Sequence, residues 1–415
     1  MRSEDDLHPG GGQAPALRNR GHVSAPRNQG RAPAPWNGPG HRARKVVAIA
    51  VLLSGAVAAA VDLRFRSAEP GYPWSFPRDH WSHPGYRTEW WYFTGQLRSV
   101  DPPGRDFGYQ LTFFRVGLLP EKPVLDSPWA TANLVMAHAA VSDLGGKAHA
   151  FSEVLWREMP YLGGFEPHPR HPLAWARAPA GTEGRWTLDL AGEAFQLAVE
   201  DRARGLAYRL TARPERPLVF EGPGGFSRKS EREGFASLYY SFTRLATEGT
   251  VTAGGRVWKV RGRSWMDREI GSSQLAPSQV GWDWFALQLS DGRDLMLYLL
   301  RRADGSVDFA RGTLVAADGS ARWLSAGDFT VRAKATWRSP ATGATYPAGW
   351  LVEVPAGGLA LEIEPSLADQ EDRAPMAGGI FYWEGAVRVR DAAGKPVGEG
   401  YVELTGYGPK SRPPI

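Results

Sequence analysis

Three carboxylates and three tryptophans crowd the stretch Arg263 to Leu289, RSWMDREIGSSQLAPSQVGWDWFALQL. Alternate side chains of an extended strand share a face, so Trp265, Asp267 and Glu269 point one way, while Asp283 shares a face with Phe285, Leu287 and Leu289. Apolar neighbours disfavour the charged form of a carboxylate and raise its pKa, which is the condition a general acid needs near neutral pH. Asp267 and Asp283 are therefore the candidate chemical centre. An Asp at a strand end also serves as a turn or salt-bridge residue, so neither stands on position alone. Glu89 repeats the pattern, heading a strand from Glu89 to Leu97 in phase with Trp91, Phe93 and Leu97.

Other signatures are sparse. The sequence holds no GxSxG elbow, no GxxxxGKS phosphate loop and no HExxH. His80 and His83, beside Asp79, have a spacing a metal could use, but on a Pro-rich segment such a pair serves more often in packing. Gln110 in FGYQLTFFRV and His138 in LVMAHAAVSD are polar residues inside strand-like runs. Ser264, His138 and Asp283 supply the residue types of a hydrolase triad, with nothing in their spacing to support one. Trp90, Trp91 and Tyr92 fit two roles, plugging a barrel end or offering ring faces to a cation, an attraction of about 1–2 kcal/mol when desolvated.

The elements that must position these residues are strands. Alternating or short buried runs recur between turns such as DGRD, ADGS and AAGK, and no long amphipathic helix follows residue 70. That pattern, with 49 Gly and 33 Pro in 415 residues, predicts an all-β chain of antiparallel sandwiches or barrels, and the length predicts two. Zero cysteines exclude disulfides and thiolate chemistry. The net charge of +5 is an N-terminal property: residues 1–68 hold ten Arg or Lys against four Asp or Glu, so the rest is nearly neutral and carries no nucleic-acid footprint.

Residues 1–45 read as a disordered cytoplasmic tail. His41-Arg42-Ala43-Arg44-Lys45 then precedes the apolar run Val46 to Val61, so residues 46–66 read as a signal peptide or a membrane anchor. Either reading exports the remainder of the chain to the periplasmic or extracytoplasmic side of the inner membrane, and the basic cluster keeps the N-terminus inside. Small residues at Ala56, Ala58 and Ala60 suit cleavage, whereas Arg64 and Arg66 suit an uncleaved anchor.

GYPWSFPRDHWSHPGYRTEWWYFTGQL, GYQLTFFR, AHAAVSD and SWMDREIGSSQLAPSQVGWDWFALQLSDGRDLMLYLLR together resemble the AttH-like and carotenoid 1,2-hydratase family, whose bacterial members are often labelled secreted hydrolases. The likeness covers most of Pro70 to Leu404. It implies two consecutive lipocalin-like β-barrels, 67–270 and 271–415, with a pocket for an apolar molecule such as an isoprenoid, carotenoid or lipid. By motif position Asp267 resembles the acid that protonates the substrate alkene, and Trp265, Tyr240, Glu89 and Trp91 would line the same pocket. Tyr92, Gln110, His138 and Trp284 join them as candidate substrate contacts, and Asp283 or Glu89 would orient the added water. Arg268 follows Asp267 here, so a histidine partner at that place is not assumed. Such chemistry needs no metal and no organic cofactor. The same family likeness admits a non-catalytic carrier beside an ABC-type permease, and a hydrolase that lacks a recognisable nucleophile.

Overall fold

A computed structural model describes residues 64–127, 129–408 and 412–413. The expected tail and the Val46 to Val61 run lie outside these residues. Among the described residues no helix is long and apolar enough to cross a membrane. The chain is all-β and is organised as two large antiparallel sheets.

Thirteen strands make the first sheet among the described residues. Its order is Ala148–Arg157, Asn133–Asp143, Asp106–Gly117, Thr88–Ser99, Arg256–Ser273, Ala236–Ala253, Leu206–Pro214, Ala194–Asp201, Arg185–Ala191, Ala174–Arg177 and Gly163–Gly164, with Val219–Phe220 and Phe226–Arg228 paired to Ala236–Ala253. The sheet curls until Ala174–Arg177 packs back on Asn133–Asp143 and Ala148–Arg157, nearly closing a barrel. Local sequence explains the far side. In Arg185–Ala191, RWTLDLA, Trp186, Leu188 and Leu190 are buried while Arg185 and Ala191 are exposed, and the two-residue loop Gly192-Glu193 returns the chain with Gly192 at φ +62°. The second sheet runs Ala321–Ser325, Val307–Val315, Asp294–Arg302, Gln279–Leu289, Pro396–Leu404, Ile380–Asp391, Leu359–Pro365, Trp350–Val354 and Thr330–Ala333, with Glu371–Ala374 beside Ile380–Asp391.

Each sheet wraps its own apolar core. Trp91, Phe93, Tyr109, Trp186 and Tyr208 fill the first, and Phe285, Leu287, Trp350, Val352 and Trp383 fill the second. The strands Thr88–Ser99, Asp106–Gly117, Asn133–Asp143 and Gln279–Leu289 depart from simple alternation, being buried on both faces. Their outer faces meet across a seam between the sheets, where Tyr92, Tyr239, Trp265, Trp284, Met296 and Tyr401 form a third apolar cluster.

Polar side chains lock the seam. Gln96 donates to the Val387 and Gly400 carbonyls at 2.8 and 2.9 Å, and Gln288 donates to the Thr243 and Ser264 carbonyls at 2.7 and 3.0 Å. Arg244 and Arg216 pair with the buried Asp294 at 2.8 and 3.1 Å; burial still lifts that carboxyl to about 6 against their pull. Side chains of the second sheet crowd the first so closely that a Cβ on Gly108 would stand 2.5 Å from the Tyr401 hydroxyl.

Candidate active site between the two sheets

Strand register decides which side chains meet. Asp267 sits directly opposite Tyr92 on one neighbouring strand and Ser241 on the other. Opposed residues share a face, so Trp90, Tyr92, Thr112, His138, Tyr239 and Asp267 look outward from the first barrel into the seam. Trp284 and Tyr298 oppose each other on the second sheet, as do Glu384 and Glu403. Between these faces lies a chamber of about 360 Å³. Its lining includes the apolar Phe114, Val116, Leu134, Met136, Leu155 and Phe381 together with Asp267, Glu269, Glu384, Glu403 and Lys229.

Asp267 is 3 % exposed. Its Oδ1 accepts from Ser241 Oγ at 2.5 Å and Trp265 Nε1 at 2.7 Å, and its Oδ2 accepts from the Tyr239 hydroxyl at 2.7 Å. Burial pushes its pKa up to about 7, even though the Ser241, Tyr239 and Trp265 donors favour the charged form. Trp284 Nε1 donates to the same Tyr239 hydroxyl at 3.3 Å, and the Trp284 ring meets Tyr92 edge to face at 5.0 Å. The next carboxylate on this face is held differently. Glu269 pairs with the buried Lys229 at 2.6 Å and accepts from Ser237 at 2.5 Å, and Lys229 lies over the Tyr298 ring at 4.4 Å.

Glu384 and Glu403 face each other across adjacent strands. Burial raises both pKa values; repulsion from Glu403 and Asp372 adds to it at Glu384, and repulsion from Asp267, Asp372 and Glu269 adds to it at Glu403. Trp282 Nε1 donates to Glu403 Oε2 at 2.8 Å; Glu384 and the Tyr92 hydroxyl interact with each other without a hydrogen bond of regular geometry, and His138 Nε2 has no hydrogen-bond partner among the described residues. His138 is held neutral: burial lowers its pKa to about 3, and its Nδ1 shares a 2.8 Å hydrogen bond with the Tyr382 hydroxyl.

Five of the residues expected from the sequence line this chamber: Asp267, Tyr92, Gln110, His138 and Trp284. Trp265 backs it through its bond to Asp267. The other four belong elsewhere, which corrects the expected grouping. Glu89 and Trp91 point into the first barrel, one position out of phase with Tyr92. Glu89, wholly buried, pairs with Arg115 and Arg268; burial pushes its pKa up, but the two guanidinium groups hold it well below the usual carboxylate range. Trp91 carries Arg268 over its ring at 3.8 Å and stacks on Phe165. Tyr240 also faces the barrel interior and bonds His80 at 2.7 Å. Asp283 faces the core side of the second sheet, bound by Arg301 and Tyr407 at 2.7 and 2.9 Å.

The pairs weighed for other chemistries are also accounted for. His83 bridges Asp79 at 3.5 Å and Glu89 at 3.2 Å, and no group of three potential metal ligands occurs among the described residues. Ser264 bonds Tyr109 and Thr247 and does not meet His138 or Asp283. Sequence reasoning missed Tyr239, Ser241, Glu384 and Glu403. The signal for the two glutamates was present, a carboxylate inside an apolar strand in YWEGAV and YVELT, by the same criterion that selected Asp267.

The AttH-like family model matches residues 67–407. A solved structure described as an AttH from Nitrosomonas europaea is 31% identical, with a TM-score of 0.71, covering 83% of this chain and 100% of that chain. Kievitone hydratase from Nectria haematococca, at 15% identity and a TM-score of 0.58, covers 83% of this chain and 97% of its own, and shares the fold. No curated protein matches the chain.

Proposed function

The chain belongs to the AttH-like family, and from that premise we propose that it takes an unsaturated apolar molecule into the chamber between its sheets and adds water to an alkene. The lipocalin-like, hydratase-type fold is shared with a protein named for hydration. The observation that carries the reading is Asp267: a carboxyl poised at about 7, facing a largely apolar chamber. A group with that pKa is available as acid and as base at neutral pH.

In this mechanism the Asp267 carboxyl gives its proton to the less substituted alkene carbon, and positive charge develops on the more substituted one. The Trp284 and Tyr92 rings flank the chamber at this point and shelter that charge. Water then adds to the cation and gives its proton to Glu384 in the carboxylate form, which burial and the neighbouring carboxyl groups make the minor form and the stronger base. Glu384 thus replaces Asp283 and Glu89 in the water-orienting role. Export of the folded unit, supported by the basic cluster before Val46 to Val61, would place the reaction outside the cytoplasm.

The test is native mass spectrometry, with solvent extraction, of the protein purified from its own host. A co-purifying polyene or unsaturated isoprenoid supports the reading, and its conversion must fail in Asp267→Asn. A saturated lipid, or an alkene still unchanged after long incubation, replaces the reading with that of a carrier.

A further inference from the structure

A second cavity, of about 340 Å³, lies on the other side of Tyr298, which lines both. Glu221 lines it and is 2 % exposed. Its backbone N–H donates to the Tyr239 carbonyl at 3.0 Å. The preceding residues Val219 and Phe220 pair with Ser241 and Tyr240, so the register sets Glu221 beside Tyr239 on the face that carries Ser241 and Asp267. Its Oε2 accepts from Thr313 on the second sheet, and its Oε1 has no hydrogen-bond partner among the described residues. The carboxyl lies against the Ser241 hydroxyl, with Asp267 and Lys229 the charged groups that act on it, while Arg228, Arg311 and Asp328 border the cavity. Ser241 in turn donates to Asp267 at 2.5 Å. A buried carboxylic acid is therefore separated from the proposed proton donor by one hydroxyl, and faces a different cavity. Burial keeps it a proton carrier, with its pKa lifted to about 8.

We infer that Glu221 is the proton reservoir of Asp267, reloading it from the second cavity through Ser241. The Glu221 O–H bond breaks as its proton joins Ser241 Oγ. The proton that Ser241 held passes to the Asp267 carboxylate, leaving Asp267 neutral and Glu221 charged. Solvent in the second cavity then returns a proton to Glu221, and Glu384 releases to solvent the proton it took from the added water, so the cycle consumes no net proton. The assignment rests on the acid role of Asp267 proposed above. Glu221 does not touch the chamber's contents, so it acts through Asp267 as a positioning and relay residue. The arrangement lets the acid be recharged while an apolar molecule fills the main chamber.

Time-resolved infrared spectroscopy of the full chain after transfer into D2O, slightly below pH 7, reads this directly. The Asp267 carboxylic band is identified as the one missing in Asp267→Asn, and its exchange rate is followed in Glu221→Gln, Ser241→Ala and Glu403→Gln. The relay predicts exchange slowed roughly tenfold or more in Glu221→Gln and in Ser241→Ala, with Glu403→Gln at the wild-type rate. An unchanged rate in Glu221→Gln, or slowing confined to Glu403→Gln, overturns it, the latter because the proton then enters from the main chamber. The absence of any such band overturns the acid role of Asp267 together with the relay. Slowed exchange in a protein that hydrates no alkene keeps the relay and removes the hydratase.

Discussion

Replacing Asp267 by Asn should make the protein more stable at high pH and leave it near wild type at low pH. Burial lifts the Asp267 carboxyl from 3.8 to about 7, so folding favours its neutral form. The sign comes from linkage: stability held by a raised carboxyl is fully present below the unfolded pKa and is lost as pH rises through the folded one. At about 1.4 kcal/mol per pH unit, the rise is worth roughly 4 kcal/mol above pH 8. Asn cannot ionise, and its amide oxygen still accepts from Ser241 and Trp265. Tyr239 loses an acceptor at Oδ2, for about 1 kcal/mol at most pH values. Asp267→Asn should therefore be about 1 kcal/mol less stable than wild type near pH 4 and about 3 kcal/mol more stable near pH 8. Glu221 and Glu403 also feel the Asp267 charge, which raises their pKa values, so its removal eases their ionisation and adds to the difference in the same direction. Urea unfolding of the pair across this range measures it, and a difference that stays flat, or that turns against the variant as pH rises, refutes the reasoning.

Glu89→Gln leaves Arg115 and Arg268 buried without their anion, and should lower stability by about 3–5 kcal/mol in urea unfolding. Gly108→Ala puts a Cβ 2.5 Å from the Tyr401 hydroxyl. The Tyr401 side chain must then shift within the packed seam, for about 1–3 kcal/mol, and Tyr401→Phe in the same protein should restore part of the loss. Once an alkene is identified, Glu384→Gln should reduce its hydration by about 10²–10⁴-fold with binding kept, while Asp283→Asn, on the other face of its strand, should leave turnover unchanged in the same assay.

The fold was legible because alternation and turn spacing are local properties. The side-chain phase around Asp267 was legible for the same reason: Trp265, Asp267 and Glu269 do share a face. What alternation cannot show is which face becomes a core and which becomes a seam. Glu89, Trp91 and Phe93 form as clear an apolar face as any, and it closes the first barrel; Tyr92, one residue on, looks into the chamber. The doublet Tyr239-Tyr240 hides the same ambiguity, since one tyrosine bonds Asp267 and the other bonds His80. Asp283 follows its strand into the second core, where Arg301 and Tyr407 hold it. Glu384 and Glu403 reach Asp267 only through the meeting of two sheets far apart in sequence, which no local pattern encodes.

The central claim is that Asp267 donates a proton to an alkene held between the sheets. Incubating the wild-type protein and Asp267→Asn with the co-purifying alkene in oxygen-18 water, then weighing the extracted product, tests it most directly. Addition of one labelled water by the wild type alone, with the alkene still bound by Asp267→Asn, is the predicted result. Equal labelling by both proteins, or none by the wild type while it holds the alkene, contradicts the claim.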